Sequence, residues 1–278
     1  MANELEKGVL YVVGTPIGNL SDISERAKTV LEGVDFVCAE DTRVSGKLLT
    51  LYNIKNSLVS YHEHNKNTVG KKIVERISFG ETGAIVTDAG MPAISDPGED
   101  LVKLCHESGV KVVPVPGACA FISALAASGF PSRRFSFEGF LPAEKKERDE
   151  VFDFHRNNKN TVIFYEAPHR LKATLEALLN AFGDRKLCLA RELTKLNEEI
   201  YQTTLEKAAE EYKTREPRGE YVLVLHGAES DSECFFENMT ISEHVAFYEE
   251  QGLSRMDAIK ACAKDRGVPK GVIYKEFI

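Results

Sequence analysis

Two short clusters of charged side chains contain the groups best suited to acid–base chemistry in the first half of the chain. One cluster reads AEDTR and follows the second predicted strand, and the other reads YHEHN and follows the third. Carboxylates and imidazoles at strand ends are typical general bases. A His-x-His pair is also part of many metal sites, but the sequence offers no evident third ligand, so we predict no metal. The candidates for a general base are Glu40, Asp41, His62 and His64.

Four loops rich in Gly, Pro or Asp follow predicted strands, which is where ligands bind in open α/β sheets. None is a Walker A loop or a G-x-G-x-x-G turn, so the familiar nucleotide fingerprints do not apply. Each loop taken alone is also explained by a tight turn or by close packing of a helix. The four therefore predict a small-molecule site of unspecified chemistry. They read GTPIGNL, TDAGMPAISDPG, PVPGACA and YEAPHR.

Charged side chains in the second and fourth loops have competing interpretations. Asp88 stands at the carboxyl end of a strand and is predicted to contact a ligand. Asp96 precedes Pro97, which suits a helix start with Asp as N-cap and Pro at N1. Arg170 is placed either to bind phosphate or to pair with Glu166. The charged stretch RELTKLNEE further along is either a solvated face or part of the site.

Short apolar runs that alternate with helical patterns position these loops, and they predict parallel sheets covered by helices on both faces. The predicted strands are Val9–Val13, Val34–Ala39, Leu58–Tyr61, Ala84–Thr87, Val110–Val115, Thr161–Tyr165, Lys186–Ala190 and Tyr221–Leu225. The predicted helices between them are Ile23–Leu31, Ser45–Tyr52, Thr68–Ser78, Leu101–Glu107, Ala120–Ala127, Arg170–Phe182 and Lys207–Lys213. The alternation breaks at 130–148, which predicts a domain boundary near Ser132.

The end of the chain has a different pattern. Three short helices are predicted, Ser242–Gln251, Arg255–Asp265 and Lys270–Phe277, with Gly252 and Gly267 where helices end. The stretch 229–250 has seven acidic residues and no Lys or Arg, whereas 253–278 has six basic residues against three acidic ones. A basic second half after a tight Gly turn fits a helix-turn-helix unit, and a plain helical cap is the alternative.

Composition restricts the function classes. A length of 278 residues, with 43% hydrophobic and 28% charged residues, fits two globular domains with real cores. The net charge of −8 argues against a protein that coats nucleic acid non-specifically. The six dispersed cysteines form no C-x-x-C pair and indicate reduced thiols. With neither a signal sequence nor a membrane-spanning apolar stretch, we expect a soluble cytoplasmic enzyme.

The loop motifs as an ordered set resemble the tetrapyrrole methylase superfamily, and within it the rRNA branch, small-subunit rRNA methyltransferase I. The resemblance covers about residues 8–227. One departure is Cys119, where the loop of this family usually reads Pro-Gly-x-Ser, and a thiol is a weaker hydrogen-bond donor than a hydroxyl. The matching stretches are LYVVGTPIGNLSDISERA, AEDTR, YHEHN, TDAGMPAISDPG, PVPGACAFISALAASG, FEGFLP, FYEAPHRL, ARELTKLNEE and RGEYVLVLHG.

This resemblance implies two α/β domains, at 1–131 and 132–229, with S-adenosylmethionine in the cleft between them. It also implies a helix-turn-helix-like tail at 240–278, a homodimer, and a cytidine ribose 2′-hydroxyl in the decoding region of small-subunit rRNA as the substrate. The rRNA would be recognised either free or in an assembled subunit. A methyltransferase acting on a small tetrapyrrole and a non-enzymatic RNA-binding assembly factor are the rival classes.

Acidic and basic side chains converge at the predicted strand ends. We therefore expect Asp41 or Glu40 to take the proton of the hydroxyl, with Arg43 and Arg170 gripping phosphates. The implied cofactor contacts are Ile17, Asp88, Met91, Ala93, Ile94, Cys119, Ala120 and Ala167. The candidate substrate contacts are His62, His64, Arg170 and Lys195.

Overall fold

The computed structural model describes residues 5–228, 236 and 239–277. The chain divides into two compact units, Met1–Gly227 and Ala228–Ile278. The first unit contains two five-stranded sheets, and the second contains three helices. No helix within the described ranges has the length and apolar character needed to cross a bilayer.

The first sheet is parallel and has helices on both faces, as predicted. Its strand order is β3-β2-β4-β1-β5. Side chains of β1 alternate between two cores, with Tyr11 packed against α1 residues on one face and Leu10 against α3 and α4 residues on the other. The elements in chain order are β1 Val9–Val13, α1 Glu25–Gly33, β2 Phe36–Ala39, α2 Thr42–Leu51, β3 Leu58–Ser60, α3 Lys66–Ser78, β4 Gly83–Val86, α4 Gly98–Glu107, β5 Lys111–Val115 and α5 Ala120–Ser128.

The second sheet is mixed, so the prediction of a parallel sheet is wrong in this half. Its strand order is β6-β7-β10-β8-β9. Only β6 and β7 pair in parallel, while β10 runs antiparallel to β7 and β8, and β9 antiparallel to β8. The elements are β6 Phe135–Phe140, α6 Lys145–His155, β7 Thr161–Glu166, α7 Pro168–Phe182, β8 Lys186–Arg191, β9 Glu199–Thr204, α8 Leu205–Thr214 and β10 Tyr221–Leu225.

Three elements of this half, β6, α6 and β9, are missing from the sequence prediction. Strands β6 and β9 lie at the two edges of the sheet and have few buried positions, so their apolar pattern is weak. The link from β8 to β9 is too short for the crossover helix that a parallel pair requires, which explains the antiparallel hairpin.

Helix α5 follows the last strand of the first sheet but packs on the second sheet. Its residues Phe121, Ala124 and Leu125 share a core with Ile163 of β7 and Val224 of β10. The chain therefore passes from one sheet to the other at the start of this helix. The domain division at 131/132 and the boundary at 229 stay predictions.

The C-terminal unit forms the three predicted helices, α9 Ile241–Glu250, α10 Arg255–Asp265 and α11 Lys270–Tyr274, followed by a 3₁₀ turn, Lys275–Phe277. Thr240 and Glu243 make a capping box at the start of α9. Gly252 and Gly267 have positive φ between the helices. The acidic stretch predicted at 229–250 falls partly outside the described residues.

A contact between Gly14 and Gly117 generates the first prediction. A Cβ on Gly117 would lie 2.7 Å from the Cα of Gly14, and its three nearest atoms would all be backbone atoms of Gly14, which cannot move aside as a flexible side chain can. We expect Gly117→Ala to lower the free energy of unfolding by about 1–3 kcal/mol through overpacking. Gly46→Ala is the matched control. Gly46 lies inside helix α2, and a Cβ there would meet only the Leu58 side chain, at an ordinary contact distance of 3.4 Å. That change should stabilise the protein by about 0.5–1 kcal/mol. Urea unfolding measures both, and equal midpoints for the two variants would contradict the expectation.

Candidate functional site

A cleft of about 420 Å³ opens between the two sheets of the first unit. Its volume is in the range of small-molecule sites. All four Gly/Pro-rich loops contribute to it, together with strand β10. The lining residues are Ile17, Glu40, Thr87, Ala89, Gly90, Met91, Ile94, Ser95, Asp96, Cys119, Ala120, Phe140, Tyr165, Glu166, Ala167, Pro168, Leu193, Lys195, Glu220, Tyr221 and Val222.

The loops of the first half are fixed to one another by backbone contacts. Thr15 and Gly90 exchange N–H···O bonds of 2.9 and 3.2 Å, which ties the first loop to the second. The Gly14 N–H donates to the Val115 carbonyl at 3.1 Å, and Gly117 lies directly against Gly14. Because these contacts join backbone to backbone, the three loops form one rigid wall of the cleft.

The second loop has a strained backbone that Asp96 holds in place. Ala93 and Ser95 adopt positive φ of 67° and 63°, which is uncommon for residues with a Cβ. The Asp96 carboxylate accepts from the N–H groups of Ala93 at 3.0 Å and Gly98 at 2.7 Å. Burial raises the pKa of Asp96. Helix α4 begins at Gly98 with Pro97 as N-cap, one residue later than predicted. The Asp96 carboxylate accepts from the first N–H of the helix and also from an N–H of the loop before it.

Neighbouring carboxylates Glu40 and Asp41 have opposite environments. Glu40 lines the cleft, and partial desolvation together with nearby Asp88 raises its pKa. Asp41 lies outside the lining and is the N-cap of helix α2. Its carboxylate accepts from the Arg43 N–H at 2.8 Å and from the Arg43 guanidinium at 2.6 Å, which holds its pKa well below the usual range. Of the two, Glu40 is therefore the stronger base and the one that faces the cleft.

The remaining candidates of the first half lie beside Glu40 without lining the cleft. Asp88 is exposed, and partial desolvation and the charge of Asp41 raise its pKa. The rings of His62 and His64 are 5.9 Å apart in an edge-to-face arrangement. His62 is close enough to Glu40 to interact with its charge. Asp88 and His62 therefore lie near Glu40, and none of Asp88, His62 and His64 lines the cleft.

Arg170 is tied to the protein interior. Its Nε lies 3.4 Å from the buried Glu166 carboxylate, and its guanidinium also donates to the Leu141 carbonyl. Glu166 accepts further from Thr174 Oγ1 at 2.5 Å and from the Ala167 N–H at 2.8 Å. The structure thus shows the pairing that the sequence left open as the alternative to phosphate binding.

Lys195 joins the second half to the first loop. Its ammonium bonds Glu192 and Glu220, both at 2.8 Å. Although partial burial opposes it, these bonds raise the pKa of Lys195. Its side chain packs directly over Gly18, and the Asn19 N–H donates to Thr194 Oγ1 at 3.0 Å. The β8–β9 connection therefore contacts the first loop at one end of the cleft.

Most of the predicted cofactor contacts line the cleft. Ala93 and Asp88 fall outside the lining, the first because its role is to shape the loop backbone. Residues on the second sheet were not predicted, although they sit in stretches that carry the family resemblance. The predicted contacts that line the cleft are Ile17, Met91, Ile94, Cys119, Ala120 and Ala167. The unpredicted lining residues of the second half include Phe140, Tyr165, Leu193, Glu220, Tyr221 and Val222.

Tyr165 connects this lining to helix α5. Its hydroxyl accepts from the Phe121 N–H at 3.1 Å, at the first turn of α5. Burial raises the pKa of Tyr165 to about 12, so the phenol stays protonated. Cys119 is the half-buried N-cap residue of the same helix, and burial raises the pKa of its thiol. In the part of the chain that is described, no cluster of three or more His, Cys, Asp or Glu is arranged to hold a metal ion.

Comparisons with known proteins agree with this geometry. The model of the family described as Tetrapyrrole (Corrin/Porphyrin) Methylases matches residues 9–209. A protein of Halalkalibacterium halodurans named Ribosomal RNA small subunit methyltransferase I is 46% identical over 98% of this chain and 95% of its own length. The protein of the same name in Bacillus subtilis is 44% identical over 98% of this chain and 94% of its own.

Solved structures show the same fold at low identity. Uroporphyrin-III-C-methyltransferase from Thermus thermophilus has a TM-score of 0.56 at 20% identity, over 78% of this chain and 94% of that one. A cobalt precorrin-4 methyltransferase has a TM-score of 0.57 at 18% identity, with the same coverage. A uroporphyrin-III C-methyltransferase structure from Thermus thermophilus that contains S-adenosyl homocysteine has a TM-score of 0.54 at 18% identity, over 78% and 96%. The prediction of a tetrapyrrole methylase type of α/β fold is confirmed.

The pairing of Arg170 generates the second prediction. Arg170→Ala leaves the buried Glu166 carboxylate without its cation, so the free energy of unfolding should fall by about 1–3 kcal/mol. Lys172→Ala on the same helix is the control, because its pair with Glu216 is exposed and 3.6 Å long. That variant should stay within about 0.5 kcal/mol of the wild type. If urea unfolding finds Arg170→Ala as stable as Lys172→Ala, the arginine is free for another role.

Proposed function

We propose, on the premise that this chain belongs to the tetrapyrrole (corrin/porphyrin) methylase family and within it to the ribosomal RNA small subunit methyltransferase I family, that it methylates small-subunit rRNA with S-adenosylmethionine. The finer proposal is that the acceptor is a cytidine ribose 2′-hydroxyl in the decoding region. The name shared by the relatives supports the rRNA substrate, and the cleft with Glu40 on its wall supports a cationic cofactor and proton removal from a hydroxyl. We place the reaction in the cytoplasm, where its substrate is assembled, and propose that the enzyme acts as a homodimer.

The cleft fits S-adenosylmethionine, which is a cation at its sulfur and a flat base at its other end. Among the lining residues, Glu40, Asp96, Glu166 and Glu220 are acidic, and Lys195 is the one basic side chain. Because Glu166 pairs with Arg170 and Glu220 with Lys195, Glu40 and Asp96 are the carboxylates that favour a sulfonium cation. Apolar lining residues suit the adenosine: Ile17, Met91, Leu193 and Val222 are among them. Gly90 lies in the lining, and its lack of a side chain lets the ligand approach backbone groups.

The protein contributes alignment and proton removal. When bound, S-adenosylmethionine supplies a methyl carbon activated by the neighbouring sulfonium. The rigid loops hold the acceptor hydroxyl in line, and such alignment can supply about 7–11 kcal/mol. A ribose hydroxyl is a poor nucleophile until its proton leaves. Glu40 takes that proton, since its raised pKa makes it a better base than an ordinary glutamate.

Asp41 and Arg43 serve a different step. Because Asp41 is paired with Arg43 and has a lowered pKa, it is a poor proton acceptor. Its carboxylate binds the guanidinium of Arg43, whose side chain is 86% exposed in the first turn of helix α2. That exposure leaves donors of the guanidinium free to face an RNA phosphate. Arg43 therefore grips the substrate backbone while Glu40 acts on the sugar.

A methyl-transfer assay tests the function and separates the rival classes. The purified protein is incubated with methyl-labelled S-adenosylmethionine and either small ribosomal subunits or free rRNA from a strain that lacks the gene. The label should enter the rRNA, and mapping should place it on one cytidine 2′-oxygen. Labelling of a tetrapyrrole in place of RNA would support the first rival class. Absence of cofactor binding in calorimetry would support a non-enzymatic RNA-binding factor.

Substitution of the two carboxylates generates the third prediction. We expect Glu40→Gln to reduce the single-turnover rate about 10²–10⁴-fold at saturating RNA and cofactor, because a proton acceptor is lost. Asp41→Asn is the matched control: asparagine still caps a helix, but it cannot pair with Arg43. That variant should raise the KM for RNA with little change in the rate. A normal rate for Glu40→Gln would assign the base elsewhere.

The pH dependence of the rate generates the fourth prediction. A general base works only when deprotonated, so the rate should fall as pH drops through the pKa of Glu40. Because that pKa is raised, the acid limb should lie above the 4.5 of an ordinary glutamate. Single-turnover rates measured from pH 5 to 9 check the position of the limb. The limb should vanish in Glu40→Gln, and its persistence in that variant would assign it to another group.

A further inference from the structure

Phe140 presents an exposed aromatic ring to the cleft, and the steps above leave it without a role. It lines the cleft from the end of strand β6. Its exposed fraction is 52%, whereas the neighbouring apolar wall residues Leu193 and Val222 are buried. An aromatic ring held half open to water inside a ligand site is a surface on which a flat group can stack.

A bulge in β6 aims this ring at the cleft. The pairing with β7 shifts between Phe137, which faces Ile163, and Gly139, which faces Phe164. The extra residue is Glu138, so Phe137 and Phe140 lie on the same face of the sheet although three positions separate them. Without the bulge, the alternation of a strand would turn Phe140 to the opposite face.

The bulge is stabilised on both sides. Gly139 adopts a positive φ of 63°, which a residue with a side chain rarely tolerates. The Glu138 carboxylate bonds the Nε2 of the buried His155 ring at 2.7 Å. Ser95 Oγ of the second loop would be 3.1 Å from a Cβ on Gly139, so this loop borders the bulge. The position of Phe140 is therefore fixed by His155 on one side of the bulge and by the second loop on the other.

A rigid neighbour supports the ring at its edge. The ring centroids of Phe140 and Tyr165 are 5.9 Å apart at an interplanar angle of 62°. Tyr165 is itself held by the edge of Phe137 and by the Phe121 N–H. Edge support of this kind fixes the ring plane while a face stays available.

We propose that Phe140 is the platform on which the base of the target nucleotide stacks after it is splayed out of the RNA, which brings its ribose to Glu40. This inference rests on the proposed function and extends it to the recognition of the substrate. Glu40 and Asp96 on the wall of the cleft repel a phosphate, which favours holding the nucleotide through its uncharged groups. Single-stranded bases are commonly held by stacking on aromatic side chains.

The adenine of the cofactor has the same flat chemistry, but the position of Phe140 favours the substrate. Buried apolar residues such as Leu193 and Val222 suit a ligand enclosed by the protein. The half-exposed Phe140 instead suits a group that enters from solvent. The test must therefore measure the two ligands separately.

Kinetics and calorimetry on Phe140→Ala make the first test, with Phe79→Ala as control because Phe79 is 84% exposed outside the cleft lining. We expect Phe140→Ala to raise the KM for the RNA substrate about 5- to 100-fold, as loss of base stacking does. The Kd for S-adenosylhomocysteine should stay within about twofold of the wild type, and Phe140→Tyr should restore the KM. A wild-type KM in Phe140→Ala would overturn the inference.

A fluorescence experiment tests the alternative occupant. The chain contains no tryptophan, so Phe140→Trp creates a single reporter at the platform. Saturating S-adenosylhomocysteine should leave its emission unchanged, and protein-free small-subunit rRNA should then quench it. Quenching by S-adenosylhomocysteine alone would assign the ring to the adenine and overturn the inference. Failure of the wild type to methylate any RNA in the methyl-transfer assay would instead refute the proposed function. That assay uses no Phe140 variant, so the two failures are distinguishable.

Discussion

The packing of helix α5 on the second sheet sets the geometry on which the cleft depends. Strand β5, just before this helix, belongs to the first sheet, yet Phe121, Ala124 and Leu125 share a core with strands of the second. The small residues of α5 let it approach that sheet closely. At its N-terminal side, Gly117 touches Gly14, which fixes the helix start against the first loop. One short segment thereby holds both walls, and neither wall can move without disturbing a packed core.

Rigid walls matter because the chemistry of this site comes from neighbours with different environments. Glu40 and Asp41 are adjacent in sequence, but the strand end directs one into the cleft and the other to the start of helix α2. Partial desolvation and the charge of Asp88 raise the pKa of Glu40, while Arg43 lowers that of Asp41. When the pKa values of two carboxylates differ in this way, the one with the raised pKa is suited to accept a proton and the one with the lowered pKa to pair with a cation.

Local pattern was enough to predict the first sheet and much of the cleft. Strand β1 was placed correctly at both ends, because a fully buried parallel strand is a continuous apolar run. Strand-end loops predicted a ligand site of unspecified chemistry, and the family resemblance supplied the six predicted contacts that line the cleft. Roles that depend on contacts distant in sequence could not be read in this way. The bond from Arg170 to the Leu141 carbonyl joins residues 29 positions apart, on either side of helix α6 and strand β7. The edge strand β9 has no fully buried residue, so its pattern resembles a loop.

The acidity of the cleft has a consequence for how RNA can be bound. A phosphate next to Glu40 and Asp96 would be repelled by like charges in a partly desolvated space. Lys195 does not offset this repulsion, because its ammonium already bonds two carboxylates. Under the proposed function, RNA is attracted by cations elsewhere, such as Arg43 and the stretch 253–278, which contains six basic and three acidic residues. Affinity and chemistry are thus assigned to different groups. Only an uncharged part of the nucleotide, its sugar and base, is compatible with the interior of the cleft. This separation is why a chain with a net charge of −8 can act on a polyanion.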